Sequence, residues 1–228
     1  MIDDLTHEMS MPASRDERAR KSVVSTLRGH VLVNMADNMH RHYHDAVAPR
    51  YEREHGEAPA DGPTVHKLMK EEDYFRFYSS IRYNAQEMVW RSVIPGIERN
   101  LESLAEKAKA LSGKDVGGTL TLDPGFEVPK NVTRLDVHLA PGCYHSEFTE
   151  GDVATGAIYD QGLNVFAAGM MGDELCDIGD SFSNYVRLKF PDFAPERMLD
   201  LGCTVGHNTL PFAKLFPDCE VHAIDVAP

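Results

Sequence analysis

Residues 197–210 read Arg-Met-Leu-Asp-Leu-Gly-Cys-Thr-Val-Gly-His-Asn-Thr-Leu, and their reading decides the fold. Met198, Leu199 and Leu201 make a short apolar run broken by Asp200, which predicts a buried strand. Gly202 and Gly206 bracket a tight loop. From Asn208 to Phe216 the pattern turns helical, with Leu210, Ala213 and Leu215 as its apolar members. Val221-His222-Ala223-Ile224 follows as a second strand, closed by Asp225. Strand, glycine turn, helix, strand and acid form the opening unit of a nucleotide-binding α/β sheet. A glycine at the strand end lets the backbone approach a ligand, because no Cβ stands in the way. The helix start presents N–H groups beside that ligand. An acid at the tip of the second strand is placed to accept hydrogen bonds from both hydroxyls of a ribose.

Leu199-Asp200-Leu201-Gly202-Cys203-Thr204-Val205-Gly206 resembles the first motif of the class I S-adenosylmethionine-dependent methyltransferases, often Leu-Asp-Leu-Gly-Cys-Gly-Thr-Gly. Asp225 matches the acid that ends the second strand of that family. The departure is Thr204, which stands where the family has its middle glycine. The resemblance covers about residues 196 to 228. It implies S-adenosyl-L-methionine as cofactor, with Asp200, Gly202, Cys203, Thr204 and Gly206 around its methionine and ribose parts and Asp225 on the ribose hydroxyls. A dinucleotide fingerprint, Gly-x-Gly-x-x-Gly, fits less well: it needs glycines at 204 and 207, where the chain has Thr204 and His207.

The 228 residues carry 36 acids and 23 bases, a formal net charge of −13. That balance repels a phosphate backbone, and the densest basic stretch, Arg15 to Lys21, is interleaved with acids. A nucleic-acid substrate is therefore disfavoured and a small molecule expected. No apolar run approaches the length of a membrane span, and the N-terminus lacks a basic and then apolar leader, so no membrane contact is expected. The four cysteines show no paired spacing and suggest reduced thiols in a cytoplasm, with no metal site.

Residues 1–14 read as a mobile tail and 15–112 as a helical cap. Between Arg15 and Val47 the pattern is one long helix or two, with Val31, Met35, Met39 and Ala46 on one side. Asn38 and His42 fall in the same arc, His42 as either a satisfied core histidine or a substrate-facing one. His40 and His44 lie on the opposite, solvated arc. Pro95-Gly96 is expected to split a later helix, and the aromatics between Tyr74 and Trp90 to be core. Thr119–Leu122 and Val132–Leu139 read as strands of a β-hairpin within 113–150. The loop Pro141 to Glu147 holds Tyr144, His145 and Glu147, and is either a functional loop or a surface turn. Helices fill 151–195, and Tyr159-Asp160 resembles the Tyr-Asp that many small-molecule methyltransferases carry there.

The expected architecture is thus α/β: a helical N-terminal cap with a hairpin, then the first β-α-β unit of a Rossmann-like sheet over 196–228. Two strands and one helix do not cover both faces of a parallel sheet. The missing half is expected from further C-terminal chain or from a partner, which includes a homodimer. The expected activity is methyl transfer to a small-molecule acceptor, with His145 as base and Tyr144, Tyr159 and His42 near the substrate. The contrasting expectation is a non-catalytic helical interaction module with an incomplete nucleotide-binding unit.

Overall fold

The computed structural model describes residues 4–112, 117–123, 125–134, 138–141 and 153–227. It is a mixed, mostly helical α/β structure with a two-stranded parallel sheet. Helix α1 (Arg15–His30) starts at a capping box: the Ser14 hydroxyl accepts from the Glu17 N–H, and the Ser14 N–H donates back to the Glu17 carboxylate at 2.7 Å. The helix continues through a π segment at Val31–Met35, α2 (Ala36–His42), a second π segment at Tyr43–Val47 and α3 (Ala48–His55). It stops at left-handed Gly56. The two wide turns lengthen the repeat, so the buried face recurs at Val31, Met35 and Val47, with Met39 half-buried. Ala46 and Asn38, placed on that face by a regular helical count, are exposed.

After α4 (Gly62–Met69), the long α5 (Asp73–Arg99) runs unbroken through Pro95-Gly96, where the sequence predicts a split. Its buried face, Val89, Trp90, Val93 and Ile97, extends across the proline, so tertiary packing outweighs one missing N–H. Of the aromatics expected to be core, Tyr78 and Trp90 are buried, while Phe77 and Tyr83 are exposed. Helices α1, α5 and α8 (Ala154–Phe166) pack together around Val24, Trp90, Val93, Ile158 and Val165. Gly162 of α8 lies directly beneath Trp90: a Cβ there would stand 2.3 Å from the indole Cζ3. α6 (Leu101–Ser112) adds the fully buried Leu104.

Residues 4–14, read from sequence as a mobile tail, are packed in place. Leu5 and Met11 are buried, the Thr6 N–H donates to the Asp173 carbonyl, and the Lys107 ammonium donates to the carbonyls of Glu8 and Ser10. The expected hairpin is also corrected. Thr119–Leu122 joins no ladder, and Lys130–Thr133 forms a helical turn, α7. Alternating polarity alone does not make a strand; a strand needs a partner edge. Residues 135–137 lie outside the described residues.

Helix α9 (Asp177–Lys189) leads to β1 (Arg197–Leu201), α10 (Thr209–Leu215) and β2 (Glu220–Ile224). The strands pair in parallel, Arg197 opposite Glu220 and Leu201 opposite Ile224. Phe182 of α9 meets Phe212 of α10 edge-on at 5.5 Å. The strand predicted as buried is only half covered: Met198 and Asp200 are half-buried, whereas Leu199, Leu201 and Ile224 are exposed. Among the described residues nothing covers that face.

Candidate functional site

The turn after β1 alternates left-handed residues: Gly202 at φ 75°, Thr204 at φ 50° and Gly206 at φ 90°. The Gly202 and Cys203 N–H groups both donate to the Ile224 carbonyl, at 2.8 and 3.2 Å, which ties the turn to the end of β2. The Gly206 N–H closes back on the Cys203 carbonyl, and the Leu210 N–H on the Gly206 carbonyl, starting α10. Among the described residues nothing lies within 4 Å of where a Cβ at Gly202 would stand, so the backbone there is open to an approaching group. Asp200 accepts from the Thr209 hydroxyl at 2.5 Å, joining the strand to the helix start.

Asp225 sits at the tip of β2, with one carboxylate oxygen accepting from the Thr204 N–H and the other from the Ala227 N–H, both at 2.9 Å. Each oxygen keeps a lone pair for a further donor. Burial pushes the Cys203 thiol up, and the charges of Asp225 and Asp200 add to this, so Cys203 stays a neutral thiol rather than a nucleophilic thiolate.

Helix α8 lies across this turn. A Cβ at Gly156 would meet the Val205 side chain at 3.3 Å, and Tyr159 stacks over His207 with ring centroids 6.2 Å apart. The next residue, Asp160, accepts from His207 Nε2 at 2.9 Å and from His7 Nε2 at 2.8 Å. Burial pushes the Asp160 carboxyl up, but the bonds from His207 and His7 and their charge outweigh it and hold it below the ordinary range. The His7 imidazole is raised, first by its bond to Asp160. One helical turn supplies a further buried pair: Lys21 donates to Gln161 at 2.6 Å.

Comparison of the chain with protein-family models, curated proteins and solved structures finds no match. The geometry therefore carries the reading. It brings Asp200, Gly202, Cys203, Thr204, Gly206 and Asp225 together at one turn, and sets Tyr159 beside it.

His42 belongs elsewhere. Its Nε2 meets Glu72 at 2.9 Å, Glu72 also holds Arg50, and Tyr74 lies alongside. The Arg50 bond first, then the His42 bond, holds the Glu72 carboxyl down. This is the satisfied histidine of the two expectations, on the α2–α5 side of the helical layer, and the structure does not bring it to the turn. Tyr144 and His145 lie outside the described residues. His40 and His44 pair with each other on the exposed side of the long helix, Nε2 to Nε2 at 3.1 Å. Among the described residues, no group of three or more His, Cys, Asp or Glu side chains is placed to hold a metal ion, and no helix is long and apolar enough to cross a membrane.

Three residues of this site escape the sequence reading as a group: His7, Asp160 and His207. Asp160 is visible only as the second half of a dipeptide, and His207 only as the residue that breaks a dinucleotide pattern. His7 lies 153 positions from its partner and carries no local signal.

Proposed function

We propose that residues 196–227 form the methionine- and ribose-binding side of an S-adenosyl-L-methionine site, in a methyltransferase acting on a small molecule. The observation that carries this reading is the turn itself. Left-handed backbone recurs at 202, 204 and 206, Gly202 is open, and an acid at the β2 tip grips the turn's middle N–H. The donor set suits such a group. Gly202 admits close approach, and the Asp225 carboxylate retains acceptor capacity for vicinal hydroxyls. The cofactor, when bound, supplies a methyl group on a sulfonium. The protein's own task is positioning, with a base to take a proton where the acceptor is a hydroxyl. Tyr159, beside the turn, is proposed as a substrate-side residue, and His145 with Tyr144 as the base and its neighbour.

The bare apolar face of the sheet, Leu199, Leu201 and Ile224, supports a site completed by more polypeptide, either further chain or a partner such as a second copy. The same face favours the second reading, a helical interaction module with an incomplete nucleotide-binding unit. Calorimetric titration with adenosylmethionine separates the two. A micromolar Kd, about −8 kcal/mol, supports the first, and no heat with no thermal shift supports the second.

A further inference from the structure

Asp160 joins two parts of the chain that lie 200 positions apart in sequence, at His7 and His207. One carboxylate oxygen takes His7, which arrives with the N-terminal segment, and the other takes His207, the last turn residue before the α10 region. Asp160 is 7% exposed and His207 9%, so the shared carboxylate is out of water. A carboxylate in that setting is kept ionised only by donors on both oxygens. An ionised carboxylate accepts only, so both imidazoles carry a proton on Nε2 and donate it. The segment around His7 is fastened at other points too. Leu5 and Met11 are buried, Thr6 bonds Asp173, and Lys107 holds the carbonyls of Glu8 and Ser10.

We propose that residues 4–11 form a strap closed against the junction of α8 and the glycine turn, and that Asp160 is the positioning residue that locks strap and turn to one another, more tightly when His7 is a cation. An imidazolium adds attraction between opposite charges to the hydrogen bond that a neutral imidazole already donates to the ionised carboxylate. His7 is faced by Asp160 and, by charge, by Glu174 and Lys107; His207 lies across the carboxylate, Asp4 of the strap accepts from Arg18 of α1, and Lys21 lies beyond on Gln161. The bond to Asp160 raises His7 above its ordinary 6.5. The extra hold is therefore fully present below that ordinary value and is lost as pH rises through the raised one.

Hydrogen exchange of the whole chain, corrected for intrinsic rates between about pH 6 and 9, reads the lock directly. Amides of 4–11 and 202–207 in the native protein should be protected together, with strap protection falling several-fold toward the alkaline end. Asp160→Asn should expose both segments and flatten the pH dependence. His7→Gln changes a partly exposed side chain outside the hydrophobic core and should release the strap at every pH while partly loosening the turn. A strap that stays protected in His7→Gln, or whose protection in the native chain does not vary with pH, overturns the proposal. So does His207→Gln freeing the turn with the strap unmoved. Titration of His7 in the native protein, followed by imidazole NMR shifts, gives a check without any variant: a value at or below 6.5 counts against the lock.

Only the ligand arm rests on the methyltransferase reading. If the native chain binds adenosylmethionine, His7→Gln should weaken it roughly threefold to tenfold and remove its pH dependence. If the native chain binds none while strap and turn still exchange together, the cofactor reading falls and the lock stands.

Discussion

Thr204 holds φ 50°, a left-handed conformation that a β-branched side chain adopts at a cost of about 1–2 kcal/mol. Its N–H is fixed there by Asp225, so the strain is imposed by the turn. Thr204→Gly should remove the strain but loosen the unfolded chain, for a net gain of about 0.5–1 kcal/mol in urea melts. Asp225→Ala should do two things at once. From sequence, a strand-tip acid facing a ligand is expected to leave stability untouched; the two backbone N–H groups on its oxygens change that to a loss of about 1–2 kcal/mol. Adenosylmethionine affinity should also fall roughly 10- to 100-fold by calorimetry. Cys203→Ala should cost far less in both. Unchanged affinity in folded Asp225→Ala sinks the ribose role. Residues of this turn were legible in sequence because a left-handed backbone selects glycine at fixed spacing. His7 was not, since a bond across 153 positions leaves no local mark.

At the scale of elements, α8 is the hinge of the design, touching the core with one side and the turn with the other. Gly162 is required by the Trp90 ring, and a methyl group would meet the buried indole side chain at 2.3 Å. Gly162→Ala should cost about 1–3 kcal/mol by thermal or urea unfolding, despite alanine's better helix propensity. A loss under about 0.5 kcal/mol would show that the ring moves freely. The β-α-β unit was legible because apolar runs, glycines and the closing acid agreed. The expected hairpin fails at its described parts, because Thr119–Leu122 meets no partner edge and Lys130–Thr133 closes a helical turn, while 135–137 lie outside the described residues. The long first helix was half legible: its existence followed from period, but two π turns shifted its buried face beyond what a regular count could follow.

For the whole molecule, Glu17 ties the start of α1 to the end of α5. It accepts from Arg99 through both oxygens and from the Ser14 N–H. The Arg99 guanidinium first, and the Ser14 bonds with it, hold the Glu17 carboxyl down to about 2 from an ordinary 4.5, against burial. A depressed carboxyl stabilises above its unfolded value, so this contribution is complete above about pH 4.5 and is lost as pH falls through about 2. Glu17→Gln should be about 2 kcal/mol less stable at neutral pH, less than the full shift implies because Arg99 is half exposed, and should match the native chain near pH 2. Equal acid and neutral differences in urea melts would show that the pair contributes nothing. Trp90 bears on how all of these experiments are read. It is the chain's single tryptophan, its indole N–H donates to the His138 carbonyl at 2.6 Å, and its ring is wedged between α5 and α8. The molecule thus carries an intrinsic fluorophore at the seam that supports the turn. Its emission should shift to the red and its anisotropy drop when that seam opens, which would report separation of α8 without any label.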